Sequence, residues 1–149
     1  MDDLYMKEAL AEAKRAYGTY EVPVGAIIVH RGKIIARGYN QRESMRNPLA
    51  HAEIMAIEQA SKFLGGWRLI DCTMYVTLEP CPMCAGAIVN SRIDRLVIGA
   101  RDHKMGCCGT VEDLTNHPKF NHRCQVEFGI LEDESIHLLK TFFKELRNR

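Results

Sequence analysis

The sequence predicts an α/β protein of three layers, with helices on both faces of a central mixed five-stranded sheet. Three observations predict it. Short apolar strand patterns alternate with helical ones along the chain. Arg31-Gly32 separates two apolar runs in the manner of a tight hairpin turn, which makes the first pair of strands antiparallel. The later strands are set apart by helices or a long connection, an order that implies a mixed sheet with helices on both faces.

Taken in order, Asp2 or Asp3 is placed to cap a first helix running to about Tyr17, and Gly18 ends it. Met6, Leu10, Ala13 and Tyr17 recur at steps of four and three, one apolar stripe for the core. Val24 to Val29 is a strand, and Lys33 to Tyr39 returns beside it. Gly25 inside that strand admits two readings: a bulge or close backbone contact, or bare backbone that admits a flat base. Asn40 ends the second strand as a turn residue, and Gln41 to Asn47 is a polar loop. Pro48 starts a second helix whose buried face is Ile54, Ile57 and Ala60 or Ser61, and Gly65-Gly66 stops it. Trp67, the only tryptophan, reads as a core plug.

Met74 to Leu78 is apolar enough to be a central strand, and Cys81 to Ser91 forms a helix. Ala85, Gly86, Ala87 and Ile88 on that helix allow close packing against a sheet or another subunit. Arg95 to Ala100 is the fourth strand. Residues 101–123 make a long connection, in which Val111 to Thr115 is expected to form a short helix. Val126 to Phe128 is the fifth strand. A final helix from about Asp133 carries a core stripe of Ile136, Leu138 or Leu139, Phe142 or Phe143, and Leu146. Lys140, Lys144, Arg147 and Arg149 make its other side positive, a solvated face or a phosphate-binding one.

The 149 residues are expected to form one domain, 1–149, and the net charge of +1 gives no global attraction to nucleic acid. No apolar run is long enough to span a bilayer, and Met1-Asp2-Asp3 lacks a signal-peptide pattern, so a cytoplasmic protein with no membrane partner is expected. Six cysteines do not imply a disulfide scaffold in a chain with this much core. Cys72, Cys107, Cys108 and Cys124 read as small reduced core residues.

Cys81 and Cys84 are different. Their C-x-x-C spacing lets both sulfurs reach one ion from a single turn of backbone, and Pro82 suits the first helical position. A helix N-terminus also favours the thiolates that a metal needs. His51 upstream supplies a third ligand, and three ligands leave a tetrahedral ion one position for water, the catalytic rather than the structural arrangement. Glu53, two residues on, does not share a helix face with His51. The two converge only if the ion lies off the helix start, so two helix N-termini are expected to point at one Zn2+, with Glu53 beside it as a proton carrier.

The pairing of H-x-E with a downstream P-C-x-x-C resembles the signature of the zinc deaminases of bases. Further stretches extend the likeness over nearly the whole chain: Glu21 to Ala26, His51 to Ala56, Trp67-Arg68-Leu69, Tyr75 to Cys81, Gly99 to Asp102, Phe120 to Arg123, and Phe142-Phe143. Together they resemble the cytidine deaminase superfamily, and within it the bacterial tRNA-specific adenosine deaminases. The resemblance implies a cytidine deaminase-like fold, one Zn2+ per subunit on His51, Cys81 and Cys84, and Glu53 as the proton shuttle. It implies that Asn40 holds the target nucleotide, replacing its reading as a turn residue, and that Val24 and the backbone of Ala52 line the base pocket. Asp102, Lys104, Asn121, His122, Phe143 and Arg147 are implied near flanking nucleotides of a tRNA anticodon loop. A homodimer, with loops of both subunits shaping the RNA site, is implied too. The zinc motif alone leaves two alternatives: a deaminase of a free nucleoside or nucleobase, and a non-enzymatic zinc-stabilised module.

Overall fold

The computed structural model describes all residues 1–149. Its elements are α1 (Asp2–Gly18), β1 (Gly25–His30), β2 (Lys33–Tyr39), α2 (Ala52–Leu64), β3 (Cys72–Leu78), α3 (Pro82–Asn90), β4 (Arg95–Ala100), β5 (Gln125–Phe128) and α4 (Glu132–Arg147). The sheet order is β2-β1-β3-β4-β5. β1 is antiparallel to β2 and β3, whereas β3, β4 and β5 run parallel. The three-layer mixed sheet is as expected, and β3 is its central strand.

Side chains alternate across the sheet, so each strand feeds two cores. Ala26, Ile28, Met74, Val76, Leu96 and Ile98 face α2 and α3. Ile27, Val29, Tyr75 and Val97 face Met6, Ala9 and Leu10 of α1, with α4 beside α1 on the same face. The helices sit close because glycine lets them. A Cβ on Gly25 would lie 2.1 Å from the Ala9 carbonyl oxygen, and one on Gly38 would lie 2.3 Å from that of Ala52. Gly25 is therefore a packing point for α1 rather than an opening for a base.

Several expectations change. Asp2 and Asp3 do not cap α1, whose N-cap is Met1 without a side-chain bond. Asp2 is drawn to Arg95 instead, at 2.7 and 3.0 Å, and accepts the Tyr75 hydroxyl at 2.7 Å. Pro48 does not open α2. The chain turns through Asn47 to Ala50, and His51 is the N-cap of a helix beginning at Ala52. Its buried face is Ala52, Glu53, Ala56 and Ala60; of the expected residues Ala60 is buried and Ile57 is partly buried against the core, while Ile54 and Ser61 are only partly covered. Trp67 is 52% exposed, not a plug, with the Arg68 and Arg92 guanidiniums over its ring at 4.2 and 5.4 Å. Val111 to Thr115 is not helical: Cys108 bridges Asp113, whose carboxylate accepts the Thr115 and Asn116 amides and turns the chain. On α4, Phe142 is buried but Phe143 and Leu146 are largely exposed. Cys72, Cys107, Cys108 and Cys124 are buried free thiols of the core, as read from the sequence.

Candidate metal and active site

The carboxyl end of β3 and the starts of α2 and α3 meet at one point. His51 and Cys81 are the N-caps of their helices, both with extended backbone, and Cys84 lies in the first turn of α3 behind Pro82. The His51 Nδ1 is 3.7 Å from the Cys81 sulfur and 3.6 Å from that of Cys84. A tetrahedral zinc with ordinary Zn–S and Zn–N bonds sets nitrogen and sulfur about 3.6 Å apart. The three donors therefore fit zinc in spacing and in kind, and all lie within 4.8 Å of one another.

Their electrostatics are coupled. Hydrogen bonding from the Cys84 thiol lowers Cys81 to about 4, with His51 helping. The same contact, together with burial, pushes Cys84 up. Cys81 in turn raises His51. Only one thiol is acidic by itself, so a cation among the donors would take the place of protons. Glu53 is buried beside them, and burial pushes its carboxyl up to about 7, with the Cys81 charge adding.

A cavity of about 290 Å³ opens over this cluster. Val22, Val24, Leu78 and Met105 give it apolar walls, and Asn40, Arg42, Ala52 and Asp102 lie around them. Asn40 both turns the chain and borders the cavity. Its Oδ1 accepts the Arg42 amide at 3.3 Å in a local turn, its Nδ2 donates to the Val22 carbonyl at 3.2 Å, and the residue faces the cavity. Val24, Ala52 and Asp102 border the cavity as well. Lys104, Phe143 and Arg147 are not in the cavity; they line a neighbouring basic groove with Arg101, Lys140 and Lys144 along α4.

Asn121 and His122 are not brought to the site. The His122 Nε2 lies 2.7 Å from the Ile93 carbonyl, before the start of β4, while the cavity is at the other end of that strand, roughly 20 Å away. Sequence reasoning missed Arg42, Met105 and Val22, which carry no motif. It also missed the two buried carboxylates that hold the cavity loops. Glu21 accepts the Glu43 and Ser44 amides at 3.0 and 2.6 Å, and Glu79 accepts amides of the loop after β4. A glutamate embedded in an apolar stretch was the available signal.

Fold and site together define a deaminase, and the chain belongs to the MafB19-like deaminase family, whose model matches residues 1–147. It is 53% identical over 148 residues to the tRNA-specific adenosine deaminase of Bacillus subtilis (strain 168), covering 99% of this chain and 92% of that protein. A solved structure from work on A-to-I editing by tRNA:A34 deaminases at the wobble position of transfer RNA superposes with a TM-score of 0.87 at 42% identity, covering 91% of this chain and 98% of that one. A further structure, NE0047 in complex with 2,6-diaminopurine, matches at a TM-score of 0.81 and 27% identity, covering 95% of this chain and 81% of that one.

Proposed function

We propose that this protein hydrolyses adenosine to inosine at the wobble position of a tRNA anticodon, using one Zn2+ on His51, Cys81 and Cys84. The observation that carries the chemistry is the buried Glu53 carboxyl beside a three-donor cluster at the floor of a base-sized cavity. The relatives' activity, at this level of identity over almost the whole chain, supports the choice of adenosine in tRNA.

When bound, the zinc would supply Lewis acidity that makes water nucleophilic near neutral pH. Everything else falls to the protein. Glu53 takes a proton from the attacking water and passes it to N1 of adenine as oxygen bonds to C6. Glu53 then takes the remaining proton from the new C6 hydroxyl and delivers it to the amino group; C6=O forms as the C6–N bond breaks, and ammonia leaves inosine behind. Val24 and the Ala52 backbone flank the base, and Asn40 orients its nucleotide. The cavity closes around a single unstacked base, so a loop nucleotide already splayed from its neighbours is favoured over a paired one.

Asp102 at the rim, and Lys104, Phe143 and Arg147 in the groove, meet the flanking nucleotides. The protein works as a homodimer: Asn121 and His122, distant from the cavity of their own chain, serve RNA held by the other copy. No helix is long and apolar enough to cross a membrane, and action on tRNA fits a cytoplasmic enzyme. The test compares deamination of an anticodon stem-loop with that of free adenosine and cytidine. Turnover of the stem-loop alone is expected; equal turnover of a free nucleoside would overturn the tRNA reading in favour of a nucleoside deaminase.

A further inference from the structure

The loop after β4 is wrapped around one buried side chain. Glu79 is 2% exposed, and its Oε1 accepts the Asp102 amide at 3.1 Å. Its Oε2 accepts the amides of Cys108 and Thr110 at 3.0 and 3.1 Å, and the Thr110 hydroxyl donates to the carboxylate as well. The loop backbone closes over the carboxyl so tightly that a Cβ on Gly106 would sit 2.5 Å from the Glu79 Cδ. Next in sequence, the Pro80 carbonyl accepts the Cys107 amide at 2.9 Å. No lysine or arginine shares an ion pair with Glu79. Its partners are loop donors, and a carboxylate is the side chain that accepts at both oxygens.

That loop carries the recognition surfaces on both sides of the rim. Asp102 and Met105 face the cavity, while Arg101 and Lys104 face the basic groove along α4. Glu79 joins this loop to the segment that ends in Cys81, so one short stretch of backbone sets both a metal donor and the rim. We propose that Glu79 is a positioning residue for RNA recognition: it fixes the 101–110 loop so that the cavity and the groove engage one continuous strand. This rests on the tRNA reading above and goes beyond it by assigning the loop's anchor. Glu79 itself borders the cavity, but both its oxygens are spent on the loop, so it acts through the loop.

The test uses Glu79→Gln and the milder Thr110→Ala in the zinc-loaded protein. A glutamine turns an NH2 toward amide donors and leaves at least one unpaired. Three quantities are measured: hydrogen exchange at the Asp102, Cys108 and Thr110 amides, zinc content, and KM and kcat on an anticodon stem-loop. For Glu79→Gln, exchange at those amides rises by about 100-fold relative to the strands. Zinc content stays the same, KM rises about tenfold and kcat moves less than about threefold. Thr110→Ala moves KM and exchange in the same direction by less. Unchanged exchange, exchange quickened evenly over the whole chain, or a fall in kcat at constant KM would overturn the assignment. If the unmodified protein leaves the stem-loop intact, the tRNA reading fails and the recognition role with it, while the exchange data still decide whether Glu79 anchors the loop.

Discussion

Replacing Gly38 by alanine tests how the sheet sets the active site. The new Cβ would lie 2.3 Å from the Ala52 carbonyl oxygen, 2.9 Å from the Ala56 nitrogen and 3.1 Å from the Met55 Cβ. Two of these are backbone atoms of α2, which cannot rotate away. Relief to ordinary contact needs the first turn of α2 to move by about 1 Å, at an overpacking cost of about 1–3 kcal/mol. For a chain of this size that lowers Tm by roughly 2–12 °C. The same turn carries Glu53 and follows His51 directly, so the displacement is passed to the site, where an error of about 1 Å can cost about 100-fold in rate. The assay pairs a thermal melt with single-turnover deamination, using Gly86→Ala as control. Gly86 lies inside α3, and a Cβ added there would meet nothing within 4 Å, so alanine is expected to be neutral or to stabilise by about 0.5–1 kcal/mol. A Gly38→Ala protein with unchanged Tm and turnover within twofold would refute the reasoning.

Three further outcomes are expected. Arg95, aided by Tyr75, holds Asp2 at about 2, below its ordinary 3.8; this stabilisation is present above the unfolded value and is lost as pH falls through the folded one. Asp2→Asn should therefore cost about 1 kcal/mol at pH 7, and denaturant midpoints of the two proteins should converge between pH 4 and 2. Stripping metal with a strong chelator should abolish deamination and lower Tm, with both restored by zinc; an unaffected melt and rate would exclude a metal on His51, Cys81 and Cys84. Changing Lys140, Lys144 and Arg147 together to glutamine should weaken stem-loop binding and flatten its dependence on salt by up to about 2 in log–log slope. An unaltered slope would make that groove plain solvated surface.

Local pattern carried the elements. The Arg31-Gly32 turn placed both hairpin strands, and β4 was readable at Arg95 to Ala100 because its apolar run is flanked by polar residues. The three-donor cluster was legible because metal chemistry restricts donor type and spacing so narrowly that His51, Cys81 and Cys84 had few rivals. What failed depended on tertiary partners. Asp2 is a sound capping residue that met a guanidinium from β4, and Trp67 found arginines to stack on instead of a core. Pro48 proved a turn former because Asn47 accepts the Leu49 and Ala50 amides around it, and the first bond of α2 runs from the Met55 amide to the His51 carbonyl. The cavity walls at Arg42 and Met105 come from loops whose course is set by Glu21 and Glu79. No periodicity records such a bond between distant residues. Asn121 and His122 stand at the far end of the sheet from the cavity of their own chain, a placement that likeness of motif does not encode.

The most direct measurement is the activity of Glu53→Ala with its zinc content determined on the same sample. The site predicts one zinc per chain, an unchanged fold, and a rate on the anticodon stem-loop lower by at least about 100-fold. Full zinc occupancy with undiminished turnover would contradict the role of Glu53 as the proton carrier, and with it the catalytic account of this cavity.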